Sequence, residues 1–293
     1  MNAPSHFEHF AAVDWSGAVG PRQRGIAVAL CSRGRAAPAL VRPGHVWSRA
    51  EVVEWLLEGM PQDTLVGFDL GPSLPFVDCG AFFPGWDASP GDARALWALV
   101  EQLCVEDAHL AASSFVDHEE ASRHFRRHGG RTGDLFGTGR GRLRETERAQ
   151  QRQGLNPYSN LNLVGAAQVG KSSLTGMRLL HRIQHKLPIW PFDPVPVHGS
   201  LVVEIYTSLA ALAAGRPRGR TKMTSFEALN AALESPAIAS APVAASGPVD
   251  DHRSDALLAA AWLRTVAQHP EPWEPQGMTD KIARTEGWTF GVV

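Results

Sequence analysis

The chain has 293 residues and a formal net charge of −2, from 28 basic and 30 acidic side chains. Its 44% hydrophobic and 20% charged content is that of a folded globular protein, not of a disordered tail or a uniformly basic nucleic-acid coat. Any polyanion must therefore be met by a local basic patch.

Cys31, Cys79 and Cys104 are few, odd in number and without C-x-x-C spacing, which argues against a disulfide framework and a structural zinc site. No apolar stretch reaches the roughly 18 residues that cross a bilayer. The first 15 residues lack the basic-then-apolar order of a secretory signal. A cytoplasmic protein without membrane contact is the expectation.

Residues 8–15, "EHFAAVDW", predict a strand that closes on the carboxylate of Asp14. "GIAVALCS" from Gly25 predicts its antiparallel partner across a short connection, and "APALVRPG" a third strand. Ser48 and Glu51 form a capping box ahead of "VVEWLLEG", a helix that stops at Gly59. "DTLVGFDLGPSLP" gives another strand closing on an acid, Asp69. The spacing of Leu96, Leu99, Leu103 and Leu110 predicts an amphipathic helix over 93–110.

Asp117 and Glu120 predict a cap before "ASRHFRRH". Residues 129–162 then read as a Gly- and Arg-rich insertion with one short polar helix near Arg144. From Glu119 to Arg152 there are nine arginines against five acids, either a solvated face or a phosphate-binding arm using Arg140, Arg142 and Arg144. "SLVVEIYTSL", 200–209, predicts a strand with Glu204 inside it. Thr224 and Glu227 cap a helix, 235–249 is a Pro/Ala-rich loop, and "DDHRSDALLAAAWLRTVA" is an apolar helix with its acids at the start. The whole is expected to be one α/β domain, 1–293.

Between the insertion and the late strand, "GAAQVGKSS" matches G-x-x-x-x-G-K-[ST] through Gly165, Gly170, Lys171 and Ser172. As a P-loop it would bind ATP or GTP. As a glycine turn beside another active site, Lys171 would offer a point charge to a substrate phosphate. The weak preceding strand, "LNLV", and the position far from the first strand favour the second reading.

Carboxylates in strands are costly to bury. Asp14 and Asp69 each end an apolar strand, Glu204 sits in one, and Asp251 and Asp255 share one face of a helix. If they gather at a sheet edge, they cannot all ionise without a counter-charge, and Mg2+ or Mn2+ with oxygen ligands is the natural one. Two such ions about 3.5–4 Å apart activate water and stabilise a leaving oxygen in phosphodiester cleavage. His252, between Asp251 and Asp255, is either a proton-transfer group or a solvated helix-terminal side chain.

"AAVDWSGA", "LVGFDLGPSLP", "VVEIYTS" and "DDHRSDALLAAA", in this order, resemble the predicted RNase H-like nucleases of domain-of-unknown-function family four-two-nine. The resemblance covers residues 10–267. It implies a mixed five-stranded sheet flanked by helices and a metal-dependent nuclease acting on DNA or RNA. It also implies Asp14, Asp69 and Asp255 as metal ligands, with Asp251 or Glu204 completing the set. Thr207 stands where the family pattern leads one to expect proline. A non-catalytic nucleic-acid binder of the same fold is the remaining alternative, and salt-dependent binding without a metal requirement would mark it.

Overall fold

The computed structural model describes residues 3–164, 169–218 and 222–293. Among them, five strands form one mixed sheet: β1 (His9–Asp14), β2 (Ala27–Ser32), β3 (Ala39–Leu40), β4 (Thr64–Asp69) and β5 (Leu201–Glu204), in the order β3-β2-β1-β4-β5. β2 runs antiparallel to β1 and β3, while β4 and β5 run parallel to β1. The expected hairpin and the expected strand ends at Asp14 and Asp69 are thus present. β3 keeps only two of the residues of "APALVRPG".

Among the described residues, ten α-helices surround the sheet: α1 (Arg49–Glu54), α2 (Ala93–Leu103), α3 (Ser113–Val116), α4 (Glu119–Ser122), α5 (Glu145–Arg152), α6 (Val169–Ile183), α7 (Thr207–Ala213), α8 (Phe226–Leu233), α9 (Asp251–Val266) and α10 (Asp280–Thr285). α1 starts on the expected capping box: Glu51 N–H donates to Ser48 Oγ at 3.1 Å, and Ser48 N–H donates to Glu51 Oε2 at 2.7 Å. It runs on as a π turn over Trp55–Gly59.

Strand alternation sorts the core into two layers. Ala11, Val13, Val66, Phe68 and Val202 pack with α1, α2 and α6. Phe10, Ala12, Ala27, Ala29, Leu65 and Val203 pack with α7, α8 and α9. On that second face small residues meet small residues: Ala259, Ala260 and Ala261 of α9 are fully buried over the alanines of β1 and β2. The approach is close enough for Cys31 Sγ to donate to the Ala260 carbonyl at 3.4 Å. All three cysteines are free, and Trp47, Trp55, Trp97 and Trp262 are core residues.

Four details differ from expectation. The helix predicted to reach Leu110 ends at Leu103. Leu110 is buried in a separate 3-10 turn, with His109 and Leu110 at φ 59° and 54°. The strand predicted to reach Leu209 ends at Glu204, and α7 begins three residues later. Asp117 does not cap a helix but pairs with Arg127 at 3.0 Å, and Ser225, not Thr224, caps α8.

The Gly- and Arg-rich segment is anchored inward. Arg142 donates to Asp78 and to the carbonyls of Pro75, Ala81 and Phe82, so it ties this segment to the body of the domain. α5 is the short polar helix expected near Arg144. Among the described residues, no helix is long and apolar enough to cross a membrane.

Candidate active site

The register of β1 and β4 places Asp14 opposite Asp69 at the ends of two adjacent parallel strands. Both belong to the alternation set that faces α9, the set of Ala12 and Leu65. α9 begins over these strand ends. Asp250 caps it, accepting from Arg253 N–H at 3.0 Å, so its first turns present Asp251, His252 and Asp255 to the strand acids. His252 Nδ1 lies 3.0 Å from Asp14 Oδ2. Thr207, the first residue of α7, donates its hydroxyl to Asp69 Oδ2 at 2.8 Å. Asp251 is paired with Lys222. These residues line a cleft of about 480 Å³.

The electrostatics follow from crowding in a partly dry place. Burial raises the pKa of Asp14, and the hydrogen bond from His252 opposes that rise. Burial, then the charge of Asp14, holds Asp69 well above the usual carboxylate range. Burial and the charges of Asp14 and Asp251 push Asp255 up to about 7. His252 moves the other way: bonded to Asp14, it is raised to about 9 and is a cation at neutral pH. Lys222 holds Asp251 below its ordinary value.

A pH dependence follows. The folded chain keeps a proton on Asp255 up to about pH 7, whereas an unfolded aspartate loses it near 3.8. Across that window the folded state binds more protons, so stability falls as pH rises. Metal-free protein should melt several degrees higher at about pH 5 than at about pH 7.5, and Asp255→Asn should flatten that difference. Thermal melts whose pH slope is the same in both proteins would contradict a crowded acid site.

Glu204 lines the same cleft and its charge bears on Asp69, but its carboxylate is engaged elsewhere. It is the Cα partner of Phe68, not of Asp69, so alternation directs it to the other face. There Arg144 takes both its oxygens, at 3.0 and 2.6 Å, and the Thr289 hydroxyl donates to it at 3.0 Å. Arg144 is 1% exposed and also bonds Glu147. The expectation of Arg142 and Arg144 as phosphate contacts is therefore corrected: both are internal struts. Arg140 remains at the surface, its guanidinium 5.7 Å from the Tyr158 ring centroid.

Of the P-loop pattern, Gly165 lies outside the described residues. Gly170 is buried in α6, where a Cβ would come within 2.4 Å of the Asn160 carbonyl oxygen. Ser172 lines the acid cleft, whereas Lys171 lines a neighbouring one. A P-loop needs both on one phosphate and its metal. Asn162 makes only an isolated bridge to Arg126, so among the described residues no strand of the sheet leads into α6.

The connection after β1 forms the wall between the two clefts. Trp15 Nε1 donates to Thr175 Oγ1 at 3.1 Å, and Arg49 donates to the carbonyls of Ser16 and Ala18. Gly17 lies directly on the backbone of α6: a Cβ there would sit 2.5 Å from Lys171 C and Ser172 N. Neither backbone can yield cheaply. Gly17→Ala should cost about 1–3 kcal/mol by overpacking, seen as a lower denaturant midpoint. A midpoint equal to that of the wild type would show that this wall is not tight.

Could these residues hold a cation? The donors are carboxylate oxygens, which suit hard divalent ions such as Mg2+ and Mn2+. Among the described residues, no group of three His, Cys, Asp or Glu side chains stands ready as a metal cage. One oxygen each of Asp14, Asp69 and Asp251 is engaged by His252, Thr207 and Lys222. Asp255 makes no side-chain hydrogen bond among the described residues. The chemistry of the set fits, and binding would compete with those three contacts. Compared with family models, with curated proteins and with solved structures, the chain matches none.

Proposed function

We propose that the protein is a divalent-metal-dependent nuclease of RNase H-like fold that hydrolyses phosphodiester bonds. The observation that carries this reading is the juxtaposition of Asp14 and Asp69, in register at adjacent strand ends, with Asp255 of α9 over them. A five-stranded mixed sheet flanked by helices, with acids at its central strand ends, is also what the sequence resemblance implies.

Asp14, Asp69 and Asp255 would hold Mg2+ or Mn2+, which when bound supplies an activated water and charge stabilisation for the leaving oxygen. The three acids act on one another: the charges of Asp14 and Asp255 both bear on Asp69, and that of Asp14 bears on Asp255. Thr207 fixes the orientation of the Asp69 carboxylate. His252 holds a proton beside Asp14 with its side chain 44% exposed, a position from which it can protonate a leaving oxygen. Asp251, neutralised by Lys222, shapes the rim.

The test is cleavage of labelled single-stranded and duplex DNA and RNA with Mg2+, with Mn2+ and with chelator. Cleavage that requires the metal and disappears in Asp14→Asn supports the proposal. Salt-dependent binding with no cleavage under any condition would instead favour a non-catalytic binder.

A further inference from the structure

The second cleft, of about 180 Å³, shares the wall residues Gly17 and Ala18 with the acid cleft. Its chemistry is the reverse. Arg49, Arg127, Arg131 and Lys171 line it against a single carboxylate, Asp117. Its floor is apolar, built from Ala112, Val116, Leu163 and Leu174.

The basic rim is a built feature. Arg127 N–H donates to the Arg131 carbonyl at 2.7 Å, and Arg126 bridges Thr132. The tight turn between them is made by Gly129 and Gly130, both at φ 74°, a conformation that side chains resist. "RHGGR" therefore places two guanidinium groups on one lip. Arg127 gives one nitrogen to Asp117 at 3.0 Å, while its Nε is buried with no partner among the described residues. Lys171, on the other lip, has no ion pair among the described residues, and burial alone lowers its pKa. An excess of cations around an apolar floor is unfavourable without an anion.

We propose that this cleft is a nucleotide subsite: a nucleobase on the apolar floor, its phosphate between Lys171 and Arg131, next to the acid site across Gly17 and Ala18. The subsite rests on the nuclease reading for its meaning, as the place where substrate beside the scissile bond is held. A diphosphate clamped by Lys171 and Ser172 together is not the occupant, because Ser172 opens onto the acid cleft. The nucleotide unit comes either from a strand or from a free mononucleotide, and the probes below separate them.

The experiment measures binding by fluorescence anisotropy in excess chelator, so that no cleavage intervenes. Probes are a labelled single-stranded oligonucleotide, the same oligonucleotide lacking its bases, and labelled AMP. The double variant Lys171→Gln/Arg131→Gln should bind the oligonucleotide at least about tenfold more weakly. It should also lower the slope of log K against log salt by about 0.7, the one single-strand phosphate held between the two residues. Val116→Trp, at a half-buried position, should weaken the normal oligonucleotide while leaving the base-free one unchanged. AMP binding lost in the double variant would identify a free nucleotide as occupant; oligonucleotide binding alone identifies a strand.

Wild-type affinity and salt slope in the double variant, with circular dichroism confirming its fold, would overturn the subsite. If wild type binds as predicted yet no metal supports cleavage, the subsite stands and the nuclease reading fails. Metal-dependent cleavage with binding unaffected by the double variant is the converse.

Discussion

Asp69→Asn is expected to remove metal-dependent cleavage, by about a thousandfold or more, while leaving the metal-free protein as stable as wild type or more so. The combination comes from the two roles of the carboxylate. In the folded chain burial and the charge of Asp14 work against its ionised form, so the site is destabilised by the very groups that would hold a cation. Asparagine keeps the shape and can still accept from Thr207 Oγ1, the contact that now measures 2.8 Å. It removes the charge that attracts the ion. Asp14→Asn should lose activity to a similar degree but gain less stability, because it also breaks the pairing with His252 at 3.0 Å. Paired measurements of kcat and melting temperature decide this. An Asp69→Asn protein that loses activity and stability together would point to a structural aspartate.

Arg144→Met should be the most damaging single change to stability, at about 3–5 kcal/mol. Arg144 is 1% exposed and serves Glu147, Glu204 and the Glu286 carbonyl at once. Methionine fills much the same volume but leaves two buried carboxylates uncompensated. A drop in melting temperature on the order of 10 °C is expected. The same substitution in a Glu147→Gln/Glu204→Gln background should cost much less, since the charges to be neutralised are gone. Equal costs in both backgrounds would mean that Arg144 acts by packing alone. The network also ties the Gly- and Arg-rich segment to the sheet, because α5 follows Arg144, Glu204 ends β5, and Thr289, which bonds Glu204, receives a hydrogen bond from Gln150.

The strand acids were legible because their cost is local. An aspartate closing an apolar strand stands out in a sequence, and so do two acids four apart at the start of an apolar helix. What sequence periodicity could not supply was register. Glu204 looks equivalent to Asp14 and Asp69 in the chain, yet pairing it with Phe68 turns it to the other face. The Gly- and Arg-rich segment was misleading for a related reason. Arginines in a Gly-rich run suggest solvent, and only the fold reveals that Arg142 reaches Asp78 and that Arg144 is buried with Glu204. Thr207 carried a signal as the departure from an expected proline, and a hydroxyl there meets Asp69. His252 was visible, but its hydrogen bond to Asp14 depends on where α9 lands on β1, a long-range packing outcome.

The most direct measurement is anomalous diffraction from crystals soaked in Mn2+ at neutral pH. Anomalous density bounded by Asp14, Asp69 and Asp255, with His252 or Thr207 released from its carboxylate, is the predicted result. Crystals saturated with Mn2+ that show no density among these three aspartates, their hydrogen bonds intact, would contradict it.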